Sequence, residues 1–175
     1  MAAAFTFGSK AEVRAISTRV RVNSYTNVHA VAELSDGKLY MVKRFVKAAG
    51  GCSAPAIKVA SDAKIGEMRF RQFATPAGST EPSRQAQIMI RHPNNSGLQM
   101  DQITHLYIPA FFVKDLKVWQ GDELILSMDG GISISENPSI RFTYLPAGKG
   151  SFRAEAIDTD KHVYKGEWPA SRSGT

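Results

Sequence analysis

Short runs in which apolar and polar residues alternate recur through most of this sequence, and they restrict the chain to a β fold. A period of two occurs in Thr18–Val22, in Ala86–Arg91 and in Ile140–Tyr144. Turn-forming residues separate such runs, as in Ser35–Gly37 and Asp129–Gly131. Alternation places successive side chains on opposite faces of a strand, and Asp-Gly between two runs is typical of a hairpin. Because no stretch has a sustained helical period, the sequence predicts an all-β protein built around an antiparallel β-sandwich.

The N-terminal third predicts fewer strands than a sandwich needs. Met1–Gly8 is predicted to be a frayed start, and strands are predicted at Thr18–Val22, Val28–Leu34 and Lys38–Val46. Three strands are too few to close a sandwich, and one apolar face would stay uncovered. We therefore expect this part of the chain to pack on the following sandwich or to pair with a second copy of itself.

The domain prediction has four parts, separated where small residues, glycine and proline accumulate. Residues 1–59 form a partial β-domain that ends in a Gly-Gly-Cys linker, and residues 60–83 form a second linker. Within the second linker, Ala60–Phe73 fits either a strand or a poor helix. Residues 84–169 form a complete β-sandwich with six or seven short strands, and residues 170–175 form a tail.

The positive charge of the chain does not by itself predict a nucleic-acid partner. The formal net charge is +6, which permits binding of anions. The basic residues are dispersed, however, since Arg19 and Arg21 alternate with valines and Asp115 lies between Lys114 and Lys117. We interpret the charge as a solvated surface, with an anionic small substrate or protein as the alternative. Because the basic residues are dispersed, a nucleic acid is not expected as a partner. A membrane is not expected either, because no apolar run approaches the ~20 residues of a membrane span.

Metal, cofactor and catalytic motifs are not found in the sequence. The chain has one cysteine, and its histidines do not occur at the spacing of metal ligands: His29, His92, His105 and His162. No phosphate-binding loop, dinucleotide motif or nucleophile elbow is present. Asp158 and Asp160 flank a predicted turn, where we expect them to be solvated. The sequence therefore predicts a protein that is not an enzyme and holds neither a metal nor a cofactor.

The residue with the clearest chemical potential is Cys52. It follows Gly50 and Gly51 and precedes Ser53, a setting unlike the apolar runs in which structural cysteines are buried. The two glycines have no side chains to shield the sulfur, and their permissive backbones are predicted to carry it away from the protein body. Lys43 and Lys47 lie upstream and would favour the nucleophilic thiolate. From composition alone, a reactive thiol and an incidental linker cysteine remain equally acceptable.

The segment Val46–Cys52 resembles the C-terminal arm of SoxY, the sulfur-carrying subunit of the bacterial thiosulfate-oxidising system. In that family a β-sandwich ends in a flexible Gly-Gly-Cys-Gly-Gly arm whose cysteine carries sulfur species. The strands before the segment are similar to the last hairpin of that domain, so residues 1–59 correspond to a partial SoxY-like domain. Here Ser53 follows the cysteine, and we expect an arm that is tethered at both ends and has reduced reach.

The C-terminal half is similar to SoxZ, the companion subunit, and the resemblance implies an immunoglobulin-like sandwich over residues 84–169. The matching motifs occur in the right order: His92-Pro93 with Gly97, Ile108–Val113, Gly130–Ser133, Glu136–Pro138, Phe142, Asp158–Asp160, Val163 and Trp168. Together the two halves resemble a fused SoxY–SoxZ carrier of the type associated with quinoprotein dehydrogenases. A periplasmic location is implied, and we expect the missing strands and a leader to belong to a segment upstream of Met1.

The resemblance implies a covalent sulfur carrier in thiosulfate oxidation, with Cys52 as the attachment residue and Gly50 and Gly51 as the source of flexibility. Its partners would be sulfur-oxidising enzymes and a c-type cytochrome, with a homodimer through the partial SoxY-like half as a further expectation. Two alternatives remain open. The sandwich is a docking module for a periplasmic quinoprotein dehydrogenase or cytochrome, or Cys52 forms a regulatory disulfide between two copies.

Overall fold

The computed structural model of the chain describes residues 1–54, 65–73, 83–146 and 150–170, and the described part contains strands but no helix. The prediction of an all-β, antiparallel, immunoglobulin-like sandwich is confirmed. The strands are β1 (Ala3–Phe7), β2 (Ala15–Ser17), β3 (Thr26–Glu33), β4 (Leu39–Val46), β5 (Met68–Phe73), β6 (Arg84–Ile90), β7 (Val113–Gln120), β8 (Glu123–Gly130), β9 (Ser139–Tyr144), β10 (Phe152–Asp158) and β11 (Val163–Trp168). Among the described residues no helix is long and apolar enough to span a membrane.

Two sheets enclose the hydrophobic core. The first has the strand order β1-β8-β7-β10-β11, and the second has the order β2-β9-β6-β5. Side chains alternate between core and surface along these strands, as the period of two requires. Aromatic rings join the sheets, since the ring centroids of Phe70 and Phe152 lie 4.7 Å apart and Phe70 stacks on Trp168. The largest fully buried apolar side chains are Phe142, Phe152, Ile88, Ile90, Leu116, Ile125, Leu126, Ile134, Ile140 and Val113.

The first residues of the chain belong to the sandwich, and the prediction of a frayed start over Met1–Gly8 is wrong. Strand β1 pairs antiparallel with β8, from Ala3 opposite Gly130 to Phe7 opposite Leu126. Strand β2 pairs with β9. Of the predicted strand Thr18–Val22, the structure has a single bridge, between Val20 and Ile134. Ala-rich sequence has a weak strand signal of its own, and β1 forms because it satisfies the backbone groups at the edge of β8.

The 60–83 segment contributes strand β5, which pairs with β6 from Met68 opposite Ile90 to Phe73 opposite Gln85. Of the two alternatives for Ala60–Phe73, the structure has a strand over Met68–Phe73. Residues 55–64 and 74–82 lie outside the described residues, as does 171–175 of the expected tail. The four domain boundaries remain a prediction.

Strands β3 and β4 form a separate two-stranded sheet. The predicted turn between them is confirmed: Gly37 has a φ of 77° and donates its N–H to the carbonyl of Leu34, 2.9 Å away. Side chains on both faces of this hairpin are exposed, including Leu39 at 68% and Val42 at 71%. Neither strand pairs with the strands of the sandwich, so the hairpin is the least packed described element of the molecule.

Candidate functional site

The segment around Cys52 is a turn whose two glycines are both required by its geometry. Gly50 has a φ of 70°, in the region that favours glycine. Its carbonyl accepts the backbone N–H and the hydroxyl of Ser53, each at 3.2 Å. A Cβ on Gly51 would lie 2.5 Å from the carbonyl oxygen of Val22. Gly51 also donates its N–H to that oxygen at 3.1 Å, so the glycines allow the turn to lie directly against the Val22 backbone.

Cys52 is buried in this structure, with only 6% of its surface exposed. Its carbonyl accepts the hydroxyl of Ser96 at 2.6 Å, and the carbonyl of Ala54 accepts the side-chain amide of Gln99 at 3.2 Å. Ser96 and Gln99 are themselves almost fully buried, and the backbone N–H of Ser96 donates to the Gln99 side chain. Two side chains of the C-terminal half therefore hold the Cys52 segment on the sandwich.

This placement differs from the exposed arm that the sequence led us to expect. The glycine-rich composition identifies a backbone that can move, but the residues that hold it in place are about forty positions further along the chain. No local pattern connects Ser96 with Cys52, so the contact could not be read from the sequence. The role of Cys52 as an attachment residue, and of Gly50 and Gly51 as the source of its movement, remain predictions.

Arg21 is the charged neighbour that the structure places beside Cys52. Burial lowers the pKa of the Arg21 guanidinium, while electrostatic attraction to Glu136 and Cys52 raises it. The guanidinium donates to the carbonyls of Asn94 at 2.7 Å and Ile134 at 2.9 Å. Sequence reasoning singled out the upstream lysines instead, and Lys43 lies on the hairpin opposite His29. Arg21 is thus a fixed, partly buried cation near the thiol segment, since Val22, the next residue, accepts the N–H of Gly51.

A buried carboxylate lies at the end of strand β10, where the prediction that Asp158 is solvated is wrong. Asp158 is 2% exposed, and its oxygens accept the hydroxyl of Tyr164 at 2.7 Å and the backbone N–H of His162 at 2.9 Å. His162 Nδ1 lies 2.9 Å from the same carboxylate. Burial raises the pKa of Asp158, but these hydrogen bonds outweigh burial and hold the pKa below its ordinary value of 3.8. Asp160, by contrast, is exposed as expected.

His92 is fully buried against this carboxylate. Its Nδ1 accepts the backbone N–H of Asn94 at 3.1 Å, and its Nε2 lies 3.7 Å from Asp158 Oδ2. This hydrogen-bond pattern assigns the ring proton to Nε2, on the side of the carboxylate. Burial lowers the pKa of His92, and the charge of Asp158 opposes that effect. The ring also packs on Phe111, with the centroids 4.4 Å apart.

The loop after His92 connects this buried cluster with the Cys52 segment. Asn94 accepts from Arg21 through its carbonyl and from Val113 through its side chain, and Ser96 then reaches Cys52. Folding thus brings His92 and His162 to one carboxylate although they are far apart in sequence. The described residues contain no group of three or more His, Cys, Asp or Glu side chains that could hold a metal ion. We infer that the cluster fixes the shape of the loop on which Cys52 rests.

Comparison with known protein families finds two matches, one in each half of the chain. The model described as sulphur oxidation protein SoxZ matches residues 75–169, which is more than half of the chain. The model described as sulfur oxidation protein SoxY matches residues 1–52 and ends at Cys52. No curated protein matches the chain. The two matches follow each other without overlap, in the order SoxY then SoxZ.

Proposed function

The chain belongs to the SoxZ family of sulphur oxidation proteins and, as a fused SoxY–SoxZ protein, has a carrier role in sulfur oxidation; from this premise we propose that Cys52 carries the sulfur covalently. The observation that supports the proposal best is that the SoxY match ends at the one cysteine of the chain. The backbone next to Arg21 also contacts the Cys52 segment, since Val22 accepts the N–H of Gly51, and the Arg21 guanidinium can attract the anionic sulfur species that such a carrier holds.

Loading requires the Cys52 segment to leave its docked position, because the residue is buried. Among the described residues, the segment is held by backbone hydrogen bonds from Gly50 and Gly51 to the Asn23 and Val22 carbonyls, and by side-chain bonds from Ser96 and Gln99. Each contributes on the order of 1 kcal/mol, so release of the segment costs much less than unfolding the sandwich. The docked segment is then a resting state, and the released segment presents the thiol.

The partners of the carrier are enzymes of the sulfur-oxidation system. We propose a c-type cytochrome for the loading step, in which the Cys52 thiolate and thiosulfate are joined through a new S–S bond and two electrons pass to the cytochrome. Further enzymes of the system then act on the bound sulfur while the carrier moves among them. The same family resemblance supports a periplasmic location and an association with quinoprotein dehydrogenases. In this scheme the chain supplies the thiol and the partner enzymes supply the catalytic groups, so the chain itself is not an enzyme.

The proposal is tested by the intact mass of the non-reduced protein after treatment with tetrathionate. A thiolate that attacks tetrathionate retains one thiosulfate unit through a disulfide-type bond and releases the other as thiosulfate. We expect a reducible adduct on the wild type, faster loading of the Ser96→Ala variant, and no adduct on Cys52→Ser. An unloaded Ser96→Ala protein in which Cys52 still reacts with an alkylating agent would contradict the carrier role.

We further propose that the β3–β4 hairpin joins two copies of the chain. One face of the hairpin is apolar except near its end, where Thr26 and Arg44 lie. The apolar residues of this face are Val28, Ala30, Ala32, Tyr40, Val42 and Val46. The opposite face is mixed, with His29 beside Lys43 and Val31 beside Met41. The apolar face is self-complementary, and two such faces packed together bury what each exposes alone.

Size-exclusion chromatography with light scattering tests this dimer. We expect a dimer for the wild type, a monomer for Val42→Lys on the apolar face, and a dimer for Val31→Lys on the mixed face. A wild-type protein that is monomeric at micromolar concentration would remove the proposal, without bearing on the role of Cys52.

The burial of Cys52 also favours a second function, in which the protein is a docking module for a quinoprotein dehydrogenase or cytochrome and the thiol carries nothing. The exposed hairpin would then be the contact surface for that partner. The two functions differ in the phenotype of Cys52→Ser. The docking function predicts unchanged sulfur oxidation by the reconstituted system, whereas the carrier function predicts its loss.

A further inference from the structure

The outer face of the second sheet contains a groove of about 510 Å³ that plays no part in the function proposed above. Its lining includes Ser17 of β2, Gln87 of β6, and Ser139 and Arg141 of β9, with Thr18 and Arg19 beyond the end of β2. Arg141 of β9 lies between Ser17 on one neighbouring strand and Gln87 on the other. All these side chains can donate hydrogen bonds, and no Asp or Glu lines the groove.

The two arginines of the groove donate hydrogen bonds to uncharged groups. Arg141 donates to the side-chain oxygen of Gln85 and lies over the ring of Phe73, 4.2 Å from its centroid. Arg19 donates to the carbonyl of Asn137 at 3.3 Å. The ion pairs among the described residues include neither arginine. Neutral acceptors orient a guanidinium without neutralising it, so both arginines of the groove lining keep their positive charge.

The hydroxyl groups of the groove are also arranged to donate. Ser139 Oγ accepts the side-chain amide of Gln87 at 2.7 Å, which leaves the Ser139 hydroxyl proton for another acceptor. Thr18 Oγ1 is buried and has no hydrogen-bond partner within the described structure. A buried hydroxyl without a partner is unfavourable, and a ligand that accepts its proton removes the cost.

We propose that this groove binds a small oxoanion with two negative charges. Two guanidinium groups match a double charge, and an oxoanion offers several acceptor oxygens for the surrounding hydroxyl and amide donors while donating few or no hydrogen bonds itself. Sulfate, thiosulfate and phosphate share this chemistry, so binding of each is measured separately. The site is independent of Cys52, because none of its lining residues belongs to the segment that holds the thiol.

The test is isothermal titration calorimetry of the full-length protein with sodium sulfate, sodium thiosulfate and sodium phosphate, at constant ionic strength maintained with sodium chloride. We expect saturable binding of at least one oxoanion. Arg141→Gln and Arg19→Gln should each raise the dissociation constant of that oxoanion about tenfold or more, because each variant loses a charge-assisted hydrogen bond to the anion. Binding by Cys52→Ser equals that of the wild type, which separates this site from the proposed carrier thiol.

Arg153→Gln is the matched control. Arg153 also donates to a carbonyl, that of Gly121 at 3.2 Å, and also lies over an aromatic ring, that of Trp119, but it belongs to the other sheet. The Arg153→Gln variant should bind the oxoanion with the same affinity as the wild type. Ser139→Ala provides a second groove variant in case an arginine variant does not fold, and it should weaken binding as well. Absence of saturable binding to all three oxoanions, or an equal loss in Arg153→Gln, would overturn the proposal.

Discussion

At the scale of single residues, the two glycines before Cys52 have opposing effects, because they permit both the movement and the docking of its segment. Gly50 and Gly51 give its backbone the freedom that a movable arm needs, and the same glycines permit the close approach to Val22 that docks it. Ser96 adds a hydrogen bond to the Cys52 carbonyl. The availability of the thiol therefore depends on these contacts of its segment.

Ser96→Ala is expected to increase the rate at which Cys52 reacts with iodoacetamide. Removal of one hydrogen bond of about 1 kcal/mol raises the population of the released segment about fivefold, and the reaction rate rises with that population. The rate is measured by mass spectrometry under native conditions. Ser151→Ala is the control, because the Ser151 hydroxyl contacts Glu167 on the sandwich surface. Equal rates in all three proteins would show that the Ser96 contact does not restrain the segment.

The buried His92 and Asp158 predict a loss of stability on acidification in two stages. The pKa of His92 is lower in the folded protein than its ordinary 6.5, so its contribution to stability is complete above pH 6.5 and declines as the pH falls below that value. The pKa of Asp158 is also lowered, below 3.8, so its contribution is lost only as the pH falls further through that range.

Urea unfolding at a series of pH values measures both stages. His92→Gln should abolish the decline that begins near pH 6.5 and keep the more acidic one, while His105→Gln, in the loop after β6, should keep both. A free energy of unfolding that stays constant in the wild type from pH 7 to pH 5 would contradict the first stage.

At the scale of secondary-structure elements, strand β1 shows how an edge is closed by a segment with weak propensity of its own. Gly8 ends this strand and donates its N–H to the carbonyl of Ile125 at 2.9 Å. A Cβ at position 8 would overlap the carbonyl oxygen of Leu124. The pairing of this strand with β8 therefore depends on a glycine at position 8.

Gly8→Ala is expected to displace β1 from β8 and to lower the free energy of unfolding by about 2 kcal/mol, because a backbone clash cannot be relieved by a side-chain movement. The matched control is Gly37→Ala in the hairpin turn, where a Cβ meets no atom within 4 Å but φ is 77°. It should cost about 1 kcal/mol from backbone strain alone. Chemical denaturation measures both values, and an equal or smaller effect of Gly8→Ala would refute the proposed clash.

The elements also show what the sequence could and could not predict. The Asp36-Gly37 turn and the alternation in Ile140–Tyr144 are local signals, and both predictions are confirmed by β3–β4 and β9. Strand β1 was missed because Ala3 and Ala4 carry little strand preference, and its partner is more than a hundred positions away. The burial of Asp158 was missed for a different reason, since a turn sequence does not reveal which side chains will cover a carboxylate.

At the scale of the whole molecule, the described residues form one closely packed part, the sandwich, and one exposed part, the β3–β4 hairpin. The sandwich has a continuous buried core between its sheets, whereas the β3–β4 hairpin pairs with neither sheet and exposes side chains on both faces. An isolated two-stranded sheet is marginally stable in water. The hairpin and the sandwich are therefore expected to open with different free energies.

Amide hydrogen exchange tests this difference. In the monomeric Val42→Lys variant, the hydrogen-bonded amides of β3 and β4 should exchange at least ~100-fold faster than those of β7 and β8, because local opening of the hairpin exposes little buried apolar surface. In the wild type, formation of the proposed dimer should slow exchange in the hairpin alone. Equal protection of the hairpin and the sandwich in the variant would show that the hairpin is held by contacts beyond its own pairing.

The pairing of β1 and β2 has a consequence for how the two halves of the chain are joined. The N-terminal segment supplies an edge strand to each sheet of the C-terminal sandwich, and the Cys52 turn rests on Ser96 and Gln99. Non-covalent contacts thus connect the halves at several places besides the peptide backbone. Two separate polypeptides, one ending after Ala54 and the other starting at Ile65, should find each other by fragment complementation and assemble as a heterodimer.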